Sequence, residues 1–179
     1  MLAAACGGRV RLLNTAPRTL AAVIKALQKA GVRINCFRDS MEIVAPLSRP
    51  RPVSVVTKPH PGFPTDLQAP WMVFMTRANG ESTVQEQIFE NRFMHAPELV
   101  RMGADITVHG QKAIVRGVPQ LLGAPVMCSD IRAGAAMVVA AAAAKGKSVI
   151  RRIYHIDRGY EKLEHKLKDL GVDASRVKA

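Results

Sequence analysis

The sequence predicts an α/β protein built from one repeated unit: strand, buried helix, strand, amphipathic helix, strand, strand. Three observations predict it. The triplets Ala30-Gly31-Val32, Met102-Gly103-Ala104 and Leu170-Gly171-Val172 recur 72 and 68 residues apart, each closing an amphipathic segment. A second set of glycines, Gly8, Gly80 and Gly146, lies 23, 23 and 25 residues upstream of the first, each closing an apolar run. Between these landmarks the apolar pattern alternates between helical and strand-like spacing in the same order. A glycine just past a helix supplies the left-handed backbone that other residues resist.

The 179 residues read as a single domain, 1–179, with units at about 1–52, 53–117 and 118–179. The first is truncated. Only seven residues precede Gly8, so most of its buried helix and the strand before it are missing, while Val10–Leu13, Leu20–Ala30 and Arg33–Phe37 supply strand, helix and strand. A truncated repeat leaves the apolar faces of its neighbours uncovered. The expectation is that Met1 is not the natural start of the fold, or that another segment completes this layer. Pro46–Pro52 is a turn-rich connector. The second unit has a helix head at Thr65-Asp66, an apolar run Leu67–Arg77, a strand Ser82–Ile88, a helix Ala96–Met102 and a strand Asp105–His109. The third repeats this with Ser129-Asp130, Ile131–Ala144, Ser148–Ile153, Tyr160–Leu170 and Asp173–Val177. A helix as apolar as Ala133–Ala144 has no polar face and calls for enclosure on every side, which places the buried helices at the centre and the sheets outside.

Composition narrows the function classes. At 48% hydrophobic and 22% charged the chain is globular rather than disordered. Its longest apolar run falls short of the roughly 20 residues that span a bilayer. A net charge of +12 favours anionic partners without choosing among them. Three cysteines, Cys6, Cys36 and Cys128, form neither a framework of pairs nor a zinc spacing, and read as small buried hydrophobes in a reducing cytoplasm. Met1–Cys6 lacks the basic and apolar regions of a targeting peptide. The five histidines have no metal spacing, and phosphate loops and a nucleophile elbow are absent. Arg151-Arg152 and Lys162, His165, Lys166 and Lys168 form a basic patch without interleaved aromatics, which reads as a solvated face rather than a nucleic-acid groove.

Chemistry concentrates at the helix heads. Thr65 with Gln68 matches a capping box, Asp66 sits where the helix dipole favours an acid, and Ser129-Asp130 repeats the pattern. Capping alone explains these residues. Arg18, Arg92 and Arg158 stand near the start of each amphipathic helix, where a cation opposes the dipole. Either they collect with helix N-termini into an anion site, or they turn to solvent or pair with Glu90 or Asp157.

The stretches Pro61–Ala69 (PGFPTDLQA), Ile88–His95 (IFENRFMH) and Ile153–Glu161 (IYHIDRGYE), with Gly123–Val126 and Ser129–Ala133, closely resemble the UDP-N-acetylglucosamine 1-carboxyvinyltransferase family. These are the enolpyruvyl transferases of the first committed step of peptidoglycan synthesis. The resemblance covers essentially the whole chain but only the carboxyl-terminal part of the family's length. It implies an inside-out α/β barrel domain of β-α-β-α-β-β units, a second such domain absent here, and substrates held in the cleft between the two. Phosphoenolpyruvate would give its enolpyruvyl group to the 3-hydroxyl of UDP-N-acetylglucosamine. By resemblance, Asp66 contacts that hydroxyl as the base, Ile88 meets the nucleotide sugar through its backbone, Arg92, Arg132 and Arg158 line the phosphoenolpyruvate side, and Glu90 is a candidate for proton transfer. No metal or cofactor is implied.

Departures accompany the match. The family's reactive cysteine, with a lysine and an arginine that bind phosphoenolpyruvate, lies on the other domain, and none of the three cysteines here corresponds to it. Lys145–Arg151 is more basic than is usual in the family. The chain alone is expected to hold half a site, with negligible turnover unless a separate amino-terminal half completes it. Three alternatives stand: a 5-enolpyruvylshikimate-3-phosphate synthase relative, a basic nucleic-acid-binding module, and a non-catalytic fragment.

Overall fold

The computed structural model describes residues 1–177. The chain opens with α1 (Leu2–Cys6) and β1 (Arg9–Leu12), then a 3₁₀ turn at Pro17–Leu20 leads into α2 (Ala21–Lys29). Val23, Ala26 and Leu27 of α2 form its buried stripe, and Gly31 (φ +102°) ends the helix as its spacing predicts. Strands β2 (Arg33–Cys36) and β3 (Met41–Val44) follow. They complete an antiparallel sheet in the order β1-β3-β2, with Met41 facing both Leu12 and Cys36.

The connector from residue 46 to 52 does more than turn. Arg49 donates to the carbonyls of Arg77, Ala78 and Val118, and Arg51 to those of Lys29 and Gln28. Carbonyls at helix ends lack intrahelical donors, and the two guanidinium groups supply donors at the ends of α2 and of α3 (Gln68–Met75), Arg49 reaching Val118 as well.

Next come β4 (Val55–Val56), α3 (Gln68–Met75), β5 (Glu81–Gln85), α4 (Ala96–Arg101), β6 (Asp105–His109) and β7 (Lys112–Arg116). The sheet order is β4-β5-β7-β6, with β4 and β5 parallel and the other pairs antiparallel. Ser82 and Val84 of β5 point inward with Ala113 and Val115 of β7. Every residue of α3 is buried, and Trp71 through Met75 are completely so. Each large side chain buried this way contributes roughly 1.5–3 kcal/mol. Trp71 meets Phe63 and Phe74 edge-on at 5.5 and 5.7 Å, and its indole N–H reaches the Val53 carbonyl.

The last stretch holds β8 (Pro125–Met127), α5 (Ile131–Ala143), β9 (Val149–Arg151), α6 (Tyr154–Asp157) and α7 (Leu163–Asp169). β8 and β9 are parallel. Helix α5 packs on α1, α3, α4 and α6, so the most apolar segments do meet one another.

Three expectations need correction. Asp173–Val177 is not a strand: β2 and β6 each pair with the strand that follows them, and no such partner exists for 173–177 among the described residues. Helix α5 is not enclosed on every side, because Ala135 and Val138 line an apolar hollow of about 340 Å³ with Met1, Leu20, Leu27 and Leu163. Cys6 and Cys36 are exposed, and Cys128 alone is buried. No helix among the described residues is long and apolar enough to cross a membrane.

Candidate active site

The segment entering α3 is a single 3₁₀ turn, Thr65–Leu67, and the capping box expected there does not form. The Thr65 hydroxyl instead donates to Glu86 Oε2 at 2.9 Å, and buried Gln68 turns its amide to Met72 Sδ. A buried carboxylate attracts a hydroxyl donor more strongly than a neutral partner does, and it takes Thr65 away from capping. Asp66 is left with its side chain 64% exposed, and its carboxylate accepts from Arg132 Nε in an ion pair.

Arg132 is held by the head of α5, where the predicted cap is present. Asp130 Oδ1 accepts from the amides of Arg132 (2.8 Å) and Ala133 (3.0 Å), and the Ser129 hydroxyl donates to Oδ2. Partial burial pushes the Asp130 carboxyl up, but the two amides, the hydroxyl and the charge of Arg92 together bring it below its ordinary value. Asp130 therefore orients the first turn of α5 and stays anionic while Arg132 reaches across to Asp66.

The third element is the loop between β5 and α4. Glu86 is 1% exposed and accepts from the Thr57 hydroxyl (2.8 Å), the Ile88 amide (2.8 Å) and the Phe89 amide (3.2 Å), besides Thr65. The Ile88 amide is thus taken, while among the described residues its carbonyl accepts no hydrogen bond. Asn91 adopts a left-handed conformation (φ +53°). The Arg92 guanidinium then lies 4.3 Å from the centre of the Phe89 ring, a cation–π contact that holds it in place. Glu90 is exposed.

Neither alternative pairing for the arginines is realised. Arg92 stacks on Phe89 rather than pairing with Glu90, and Asp157 takes a two-pronged contact from Arg176 rather than from Arg158. Arg158 is exposed at the end of α6, and a Cβ on the next residue, Gly159, would collide with the Ile131 side chain. The end of α6 therefore lies against the first side chain of α5, the helix that carries Arg132. Arg18 sits in the 3₁₀ turn before α2, with no side-chain partner among the described residues. Of the predicted residues, the fold joins Asp66 to Arg132 directly and brings Arg92 within electrostatic reach of Asp130 beside them.

Sequence reasoning missed Glu86. A signal was present, since Glu86 falls in the phase of Ser82 and Val84 along the predicted strand Ser82–Ile88, which puts a carboxylate where an apolar residue belongs. Among the described residues no three of His, Cys, Asp and Glu converge to hold a metal ion. Burial and the neighbouring Asp130 and Glu98 raise the Cys128 thiol to about 11, which makes it inert as a nucleophile.

Arg132 and Asp66 meet at the heads of two helices on an α/β frame, and that frame is the one found in enolpyruvyl transferases. The enolpyruvyl transferase NikO from Streptomyces tendae superimposes with a TM-score of 0.90 at 27% identity, over 99% of this chain and 43% of that one. EPSP synthase from Acinetobacter baumannii shares the fold at a TM-score of 0.60 and 16% identity, over 84% of this chain and 36% of that one. The EPSP synthase (3-phosphoshikimate 1-carboxyvinyltransferase) family model matches residues 1–167, and the chain belongs to that family. Curated relatives named UDP-N-acetylglucosamine 1-carboxyvinyltransferase are 53% identical over 175 residues in Magnetococcus marinus and 52% over 181 in Hyphomonas neptunium, each match covering 98% of this chain. The chain spans 42% of the length of each of these relatives.

Proposed function

We propose that this chain supplies one wall of an active site that transfers the enolpyruvyl group of phosphoenolpyruvate to the 3-hydroxyl of UDP-N-acetylglucosamine, releasing phosphate, in cytoplasmic peptidoglycan synthesis. The observation that carries the reading is the Asp66–Arg132 pair, which joins the heads of two buried helices at an exposed spot. The half-identity to relatives of that name favours this substrate over shikimate 3-phosphate, and the absence of interleaved aromatics disfavours a nucleic-acid module.

In this reading Asp66 removes the proton of the attacking hydroxyl, and a side chain already in contact with a cation exchanges that contact for the substrate. Arg132, released from Asp66, turns with Arg92 and Arg158 to the carboxylate and phosphate of phosphoenolpyruvate, where planar donors match oxyanions and neutralise charge. The free carbonyl of Ile88 takes a donor from the nucleotide sugar, and exposed Glu90 serves proton transfer. The 1–179 chain is one domain of an inside-out barrel whose units pack their buried helices together. An amino-terminal part brings the opposite wall, so the chain alone turns over negligibly.

Phosphate release is measured with both substrates, using this chain alone and with the separately expressed amino-terminal part of the Magnetococcus marinus relative. Release is expected only in the mixture, falling about 10²–10³-fold with Arg132→Ala and about 10²–10⁴-fold with Asp66→Asn. Silence in the mixture, with the chain folded by circular dichroism, overturns the reading. Turnover by the chain alone overturns the two-part site.

A further inference from the structure

We infer that Glu86 is a positioning residue: one buried carboxylate that locks the segment bearing Asp66 to the loop bearing Ile88, Glu90 and Arg92. The inference rests on the reading of the site proposed above, and names what holds that site in register.

The two segments are distant in sequence and share no strand or helix. Thr65 belongs to the 3₁₀ turn before α3, and Ile88 and Phe89 to the loop after β5. Glu86 reaches both. Oε2 accepts from Thr65, next to Asp66, while Oε1 accepts from the Ile88 and Phe89 amides and from Thr57. Thr57, itself fully buried at the end of β4, uses the same oxygen to accept from the Gln87 amide at 2.9 Å, which fixes the loop at a third point. Four donors thus converge on one side chain, and only a carboxylate offers enough acceptor sites without bringing a donor of its own.

Stability alone does not account for it. No cation forms a salt bridge with Glu86 among the described residues, so an isolated charge is buried against neutral donors. Desolvating a charge is costly unless its partners offset the loss, and apolar replacements of buried ionic groups are often neutral or stabilising. What a buried anion supplies instead is a fixed, directional meeting point. A shift of about 1 Å at a reacting centre costs a large rate factor, and Thr65 and Phe89 are the residues through which such a shift would reach Asp66 and Arg92.

The test uses this chain with Glu86→Ala, Glu86→Gln and Thr65→Val. Amide hydrogen exchange at Ile88 and Phe89 reads the loop, and nuclear magnetic resonance titration with UDP-N-acetylglucosamine reads the site. Glu86→Ala is expected to speed exchange at the two amides by about tenfold or more and to weaken binding by a similar factor, with α5 protection unchanged. Glu86→Gln keeps an oxygen for Thr57, Ile88 and Phe89 and lets the Thr65 hydroxyl turn to accept, so both readouts return to within about threefold of the parent. Thr65→Val is expected to weaken binding while Ile88 and Phe89 stay protected. That split is one a merely structural role does not produce, and it is available even if Glu86→Ala fails to fold. Parent-like binding in both Glu86→Ala and Thr65→Val, with binding seen in the parent, overturns the inference. Where the parent responds to the nucleotide sugar only after the amino-terminal part is added, the same comparison is read in that mixture, and a parent silent there overturns the site reading. Parent-like exchange at Ile88 and Phe89 in Glu86→Ala overturns the lock independently of any ligand.

Discussion

His95 lies at the entry to α4, 3% exposed, with its Nε2 3.3 Å from Met72 Sδ. Burial lowers its pKa to about 4, against the opposing charge of Asp130 and a hydrogen bond with the Arg92 backbone. The folded protein therefore holds a neutral imidazole at pH values where the unfolded chain, near 6.5, already binds a proton. More protons on the unfolded state mean that stability is fully present above about pH 6.5 and declines as the pH falls towards 4. The full decline is about 3 kcal/mol. Asp130 adds to acid sensitivity lower down: its depressed carboxyl gives stability above the unfolded value that is lost as pH falls through the folded one. Denaturant midpoints measured from pH 4.5 to 7.5 test this, with His95→Gln expected to flatten the slope. An unchanged slope would place the acid sensitivity elsewhere. At this scale the site was partly legible: Asp66 and Asp130 announced themselves by position at helix heads, whereas nothing local in the sequence says that Arg132 spans to Asp66.

Helix α5 shows how packing overrides propensity. Gly134 in its interior costs about 1 kcal/mol relative to alanine in an isolated helix. A Cβ there would lie 2.6 Å from Ile156 Cγ1 and 3.2 Å from Cys128 Sγ. The missing side chain lets α6 settle on α5, and α6 leads directly to Arg158. Gly134→Ala is expected to destabilise the chain by about 1–3 kcal/mol despite its better propensity. Ile156→Ala, destabilising by itself, should cost less in that background than in the parent, giving a favourable coupling in a double-mutant cycle. Additive losses would show that the two residues do not crowd each other. The unbroken apolar run and the capping acid made α5 readable from the sequence. The hollow beside Ala135 and Val138 was not readable, because an apolar face looks the same whether or not a neighbour covers it.

Across the whole molecule, Arg49 ties three stretches together. Its guanidinium reaches the carbonyls of Arg77 and Ala78 at the end of α3 and of Val118 where the chain leaves the second sheet. Arg49→Met keeps the aliphatic stem and removes every donor. The expected loss is about 1.5–3 kcal/mol, seen as a lower denaturant midpoint with an unchanged slope. A midpoint equal to the parent would show that water satisfies those carbonyls as well. The connector is rich in proline and arginine and reads as a turn; its role as a clasp depends on residues 28 to 69 positions away.

The glycine stops, the buried helices and most of the strands follow from local spacing, because a helix or strand declares itself through its own run of side chains, and the family resemblance follows from the motif stretches themselves. Pairing does not. Whether Asp173–Val177 becomes a strand depends on a neighbour to bond with, whether Thr65 caps a helix or serves Glu86 depends on which acceptor the fold brings closest, and whether Asp66 meets Arg132 depends on two helix heads separated by more than sixty residues. Those outcomes are set by long-range geometry, where the strongest available partner wins the donor, and residue order carries no record of that contest.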